Sequence, residues 1–119
     1  MATNPVSPMR ELQLSTEKKT DETVVRPSGR ITSATADLLQ STVRGLIPDA
    51  KRIVLDMTAV NFVDSSGIGA LVSVYLAASR AKCELNLTNL QPRIRDLFEL
   101  SRLTAVFENR SGYPGLATD

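Results

Sequence analysis

Ile53-Val54-Leu55, set between Lys51-Arg52 and Asp56-Met57, is a short β-branched apolar run of the kind that forms a strand buried in a parallel sheet. Parallel strands need crossover connections, and the chain on both sides of this run shifts to helical spacing. Before it, Ala34, Leu38, Leu39, Thr42, Val43 and Leu46 recur at three and four, which predicts a helix with Thr32 or Ser33 as its N-cap and Pro48 as its stop. After it, Ile68, Leu71, Val72, Tyr75 and Leu76 keep the same spacing. A third helix is expected from Pro92, with Ile94, Leu97, Phe98 and Ser101 on one side.

The remaining segments read as strands and ends. Glu11-Leu12-Gln13-Leu14-Ser15 alternates, and Thr23-Val24-Val25-Arg26 resumes after the solvated turn Glu17 to Glu22, so two paired strands are expected, ending near Gly29-Arg30-Ile31. Pro27 has no N–H to give a ladder, which argues for an edge or the end of pairing. Cys83 to Leu87 reads as a central strand and Ala105-Val106-Phe107 as a last short one. Residues 1–9 read as a flexible leader and 109–119, with Gly112, Pro114 and Gly115, as a mobile tail. The order predicts one α/β domain over 10–108, a sheet covered by amphipathic helices with right-handed crossovers.

Composition removes several functional classes. With 119 residues there is room for one core and no separate catalytic domain. A net charge of +1, three Phe and two Tyr offer neither a basic field for phosphate backbones nor a stacking platform for bases, so no nucleic-acid partner is expected. No segment approaches the ~20 apolar residues of a membrane span, and Met1 to Pro8 has no signal-peptide apolar run. Cys83 stands alone, which forbids an internal disulfide and suits a buried inert thiol in a reducing compartment. A cytoplasmic protein without membrane insertion is expected.

The most informative segment is Asn61-Phe62-Val63-Asp64-Ser65-Ser66-Gly67-Ile68-Gly69-Ala70-Leu71, a turn that feeds the second helix. Asp and Ser at such a junction are ordinary N-cap residues, and Gly67 and Gly69 let a turn tighten and a helix approach a sheet. The glycines do not form a nucleotide loop: the third glycine of a dinucleotide fingerprint and the Gly-Lys-Ser/Thr of a P-loop are both missing. A serine nucleophile would need a base, and the chain has no histidine and no Gly-x-Ser-x-Gly elbow, while Lys51 and Lys82 fall at strand starts. No catalytic residue, cofactor or metal site is therefore expected, with Asp56 read as a strand-end residue and Asp64 as a cap.

Ile53-Val54-Leu55-Asp56 followed by Phe62-Val63-Asp64-Ser65-Ser66-Gly67-Ile68-Gly69-Ala70-Leu71 resembles the STAS family, in particular its bacterial single-domain anti-sigma factor antagonists. Gly29-Arg30-Ile31-Thr32-Ser33-Ala34-Thr35 is similar to the family's strand-to-helix turn. Leu85-Asn86-Leu87 with Pro92 to Leu103 is similar to its last strand and helix. The resemblance implies a mixed sheet of about four to five strands. It also implies a monomeric switch that is a substrate and not an enzyme. The unmodified form would bind an anti-sigma factor that is also a serine-protein kinase, releasing the sigma factor. Phosphorylation at Ser65, with Ser66 as the fallback, would end binding, and a PP2C-type phosphatase would restore it.

The partner-binding residues that the resemblance implies are Thr32, Ser33, Asp64, Ser65, Ser66 and Gly67. Where many antagonists carry an acidic residue before the first helix, this chain has Thr32. Family members also serve as scaffolds in stress-signalling assemblies and as accessory subunits of lipid-transport complexes, roles that would need no phosphorylation.

Overall fold

The computed structural model describes residues 11–100. It opens on two antiparallel strands, β1 (Leu12–Lys18) and β2 (Thr23–Ile31), in continuous register from Leu12 opposite Gly29 to Lys18 opposite Thr23. The link is tight, with the Lys19 N–H donating to the Glu22 carbonyl at 2.7 Å. There follow α1 (Ala36–Leu46), a 3-10 turn at Ile47–Asp49, β3 (Arg52–Asp56), β4 (Ala59–Val63), α2 (Ser65–Arg80), β5 (Glu84–Thr88) and α3 (Pro92–Leu100). Pro48 ends α1 by occupying the start of the 3-10 turn, where no N–H donor is needed. The expected leader, the strand at Ala105 to Phe107 and the tail lie outside the described residues.

The sheet is mixed and five-stranded, in the order β1-β2-β3-β5, with β4 also paired to β2. β2 takes two parallel neighbours in succession. Thr23 to Val25 pair with Ile53 to Leu55 of β3, and Ser28 to Ile31 pair with β4. Pro27 falls between these stretches, at the handover. It therefore sits inside a central strand, not at the edge or end its missing N–H suggested. β3 pairs in parallel with β5 from Arg52 opposite Glu84 to Asp56 opposite Thr88, and the first pair adds a side-chain bridge, Arg52 Nη2 to Glu84 Oε1 at 2.9 Å.

β4 is an element that the sequence pattern hid. Its register against β2 slips between Gly29 and Arg30, so Val60 and Val63 are buried while Asn61 and Phe62 are both exposed. The bulge destroys the two-residue alternation by which a strand is recognised. Gly29 is the matching irregularity on β2, at φ +122°, and a Cβ there would lie 2.1 Å from the Glu11 carbonyl oxygen.

The helices meet the sheet through one continuous core. Val25, Ile53, Leu55 and Leu87 of the strands join Leu39 and Val43 of α1 and Leu71 and Val74 of α2, all fully or almost fully buried. Each such side chain contributes about 1.5–3 kcal/mol by leaving water. α2 presents Leu71, Val74, Tyr75 and Ala78 inward, a face rotated from the expected one, and Leu76 is 45% exposed. The run from Ile68 to Ala78 is nearly all apolar, so spacing alone does not select the buried face. α3 buries Ile94 and Phe98 as expected, while Ser101 lies outside the described residues. Cys83 is buried, and burial, aided by the Glu84 charge, pushes its thiol above the ordinary cysteine value.

Asp56 ties the end of β3 to the following loops. One carboxylate oxygen accepts from the Thr58 N–H at 3.1 Å, the Thr58 hydroxyl and Asn89 Nδ2 at 3.1 Å, while Arg26 Nε lies 3.8 Å from the other. Burial acts to raise its pKa, but the hydrogen bonds and Arg26 outweigh it and hold the carboxyl below the usual aspartate value. A depressed folded value stabilises the protein above the unfolded aspartate value of about 3.9, and that contribution disappears as pH falls through the folded value. Asp56→Asn should therefore flatten the acid limb of the stability profile below about pH 4. Urea unfolding at a series of pH values checks this; equal acid limbs would refute it.

Candidate functional site

The site forms where two strand-to-helix turns meet at one end of the sheet. β2 and β4 run parallel and Ile31 is registered with Val63, so the turns after them leave side by side. The Asp64 N–H donates to the Ile31 carbonyl at 3.2 Å and pins the second turn to the end of β2. Open parallel sheets tend to present their binding groups at such strand ends.

Asp64 is the N-cap of α2, in extended conformation, with its Oδ1 accepting from the Gly67 N–H at 3.0 Å and its carbonyl accepting from the Ile68 N–H at 2.9 Å. The capping reading of Asp64 is thus correct. Gly67 is buried against β2: a Cβ there would lie 2.3 Å from the Ile31 carbonyl oxygen and 2.9 Å from Val63 Cγ1. Gly69 has no such reason, since nothing lies within 4 Å of a Cβ built on it. Close approach of helix and sheet depends on Gly67 alone of the pair.

Ser65 and Ser66 follow the cap as the first residues of α2, and both are exposed. Among the described residues no side chain hydrogen-bonds to either hydroxyl. The N-terminal turn of a 16-residue helix supplies a partial positive charge of about +0.5, which favours an anion placed there. Ser65 therefore offers a solvated hydroxyl at a position where added negative charge is tolerated.

The neighbouring turn is more internally organised than the sequence suggested. Helix α1 starts at Ala36, not directly after Thr32 or Ser33, and its N-cap position is Thr35, whose side chain does not cap. The Thr35 hydroxyl instead accepts from the Thr32 N–H at 2.9 Å and donates to the Arg30 carbonyl at 2.8 Å. Thr32 Oγ1 accepts from the Ala34 N–H at 3.2 Å, and its carbonyl receives the Thr35 and Ala36 amides. These local side-chain bonds displace the helix start by two or three residues. They leave Thr32 only 9% exposed and Ser33 exposed beside the Ser65 turn.

Two residues that sequence reasoning did not single out complete the setting. Arg30 and Phe62 are registered neighbours on β2 and β4, and the Arg30 guanidinium lies over the Phe62 ring, 4.3 Å from its centroid. Phe62 is one of few large exposed apolar side chains among the described residues, at 38%. Among the described residues no group of three or more His, Cys, Asp or Glu side chains could hold a metal ion, and no helix is long and apolar enough to cross a membrane.

The chain matches a known family over most of its length, with residues 13–116 fitting the STAS domain model. The chain belongs to the STAS domain family. Among relatives of this STAS protein, the anti-sigma-B factor antagonist of Listeria monocytogenes is 27% identical over 93 residues, 77% of this chain and 82% of that protein. An anti-sigma factor antagonist from Mycobacterium paratuberculosis has the same fold, with a TM-score of 0.74 at 23% identity over 91% of this chain and 86% of that one. So does the Bacillus cell fate determinant SpoIIAA in its phosphorylated form, with a TM-score of 0.62 at 22% identity over 76% and 84% of the two chains.

Removing the cap tests the local energetics. Asp64→Ala should cost about 1 kcal/mol, because the Gly67 N–H loses its acceptor and the helix dipole loses its negative partner. A shift of the urea midpoint without a change in m checks it; no shift would mean that the cap bond is not formed in solution.

Proposed function

We propose that this STAS protein is an anti-sigma factor antagonist: unmodified, it binds an anti-sigma factor that is also a serine-protein kinase and so releases a sigma factor, and phosphorylation of Ser65 switches that binding off. The observation that carries the reading is the exposed Ser65 hydroxyl on the capped turn, in a chain that has anti-sigma factor antagonists among its relatives. The SpoIIAA structure in phosphorylated form supports a modified state for a protein of this fold.

The chain is the substrate in this scheme and not an enzyme. The kinase supplies the base that takes the Ser65 hydroxyl proton; the oxygen forms a bond to the γ-phosphorus of ATP and ADP leaves. A PP2C-type phosphatase reverses the step by hydrolysis, and the protein works as a cytoplasmic monomer. Ser33, Ser65, Ser66 and the start of α2 form the contact surface, with Thr32, Asp64 and Gly67 shaping it from beneath. A phosphoserine adds about 1.5–2 negative charges, which the helix start accommodates, so the fold persists while a surface complementary to a neutral hydroxyl is lost.

Incubation with the anti-sigma kinase and ATP, followed by mass-spectrometric mapping, tests the reading. Phosphate on Ser65 is the expected result. An unmodified chain that binds no anti-sigma factor would instead favour a constitutive STAS scaffold or transport-complex subunit.

A further inference from the structure

Arg30 and Ser65 flank a single backbone hydrogen bond. Arg30 precedes Ile31, Ser65 follows Asp64, and the Asp64 N–H donates to the Ile31 carbonyl at 3.2 Å. One strand spacing and one residue of chain on either side limit the separation of their Cα atoms to on the order of 13 Å. An extended arginine covers more than half of that distance, and a phosphoserine side chain reaches back over much of the rest.

Arg30 stands one residue before the end of β2 on the Phe62 face of the sheet, so to meet a group on Ser65 its guanidinium must pass round the strand end. Among the described residues, the ion pairs engage Arg26 with Glu17 and Asp56, and Arg52 with Glu22 and Glu84, whereas no carboxylate bridges Arg30. Its guanidinium rests on the Phe62 ring. Val63 points at α2, as its Cγ1 position beside Gly67 shows, so the adjacent Phe62 faces the other side of the sheet. The contact with an exposed ring is weak and readily exchanged. A guanidinium fork on phosphate oxygens is a charge-assisted, two-pronged bond and is the stronger alternative.

We propose that Arg30 is the phosphate-binding residue of the modified protein: when Ser65 carries a phosphoryl group, the guanidinium leaves the Phe62 ring and closes on the phosphate oxygens. The inference rests on the proposed modification of Ser65 and adds what that modification does to the surface. The new charge is partly matched from within the molecule, and Phe62 loses its cationic cover on the opposite side of the sheet. Phosphorylation is then displayed at two places, the turn and the ring.

The test uses the full chain with phosphoserine installed at position 65 during translation, so that it needs no kinase. Failure of the kinase to modify the unaltered chain would count against the proposed function and leave this test intact. In a 31P NMR titration, the second phosphate pKa of the wild-type background should lie about 0.5 unit or more below that of Arg30→Gln. The Asp64 carboxylate and the helix amides are common to both proteins and cancel in the comparison. The Phe62 ring signals should move on phosphorylation in the wild-type background and stay in place in Arg30→Gln. Identical titrations would overturn the proposal, as would a shift abolished by Arg93→Gln, at the start of α3, and not by Arg30→Gln.

Discussion

Gly67→Ala should cost the fold about 3 kcal/mol, at the upper end of what overpacking a close-packed site produces. The added methyl would lie 2.3 Å from the Ile31 carbonyl oxygen and 3.0 Å from its carbon, both backbone atoms that no rotamer change can move aside. Relief requires α2 to lift from the end of β2, which weakens the Asp64 N–H to Ile31 carbonyl bond and the cap built around it. Gly69→Ala is the control. Nothing lies within 4 Å of its added methyl, so relieving a helix-interior glycine should stabilise by about 0.5–1 kcal/mol. Urea unfolding of both variants measures the contrast. Two variants of equal stability would mean that α2 does not approach β2 as closely as described.

Phosphorylation of Ser65 carries the largest expected effect on binding. The group would place a dianion beside the Asp64 carboxylate at the centre of the proposed contact surface, where the partner must strip its water. An interfacial charge left without a matched partner typically costs 2–5 kcal/mol, so affinity should fall about 100-fold or more. The Arg30 contact lessens the exposed charge without removing the bulk of the group or its need for solvent. Ser65→Ala should bind within a few-fold of the parent, since it removes a small hydroxyl with no side-chain partner among the described residues. Ser65→Asp, shorter and singly charged, should fall between the two.

The parts of this molecule that could be read from sequence are those with a local cause. The β-branched run Ile53-Val54-Leu55 is a strand because it is apolar throughout, and it lies between parallel neighbours as its composition implied. Asp64 is legible as a cap because capping needs only residues three positions apart. The failures have non-local causes. β4 is hidden because its bulge puts Asn61 and Phe62 both outward, and the same one-residue slip brings Phe62 opposite Arg30. No local pattern announces a register set by a second strand. Helix α1 starts late because the Thr35 hydroxyl is drawn to the Arg30 carbonyl and the Thr32 amide, a choice that depends on where β2 ends. The inward face of α2 is fixed by the sheet beneath it, since its sequence is apolar on nearly every side.

The most direct measurement is the dissociation constant, by isothermal titration calorimetry, of the anti-sigma factor for this protein unmodified and with phosphate on Ser65 alone. Tight binding of the unmodified form with a loss of about 100-fold or more on phosphorylation is the expected result. Equal affinity of the two forms would contradict the switch and leave the Ser65 turn as a helix start and nothing more.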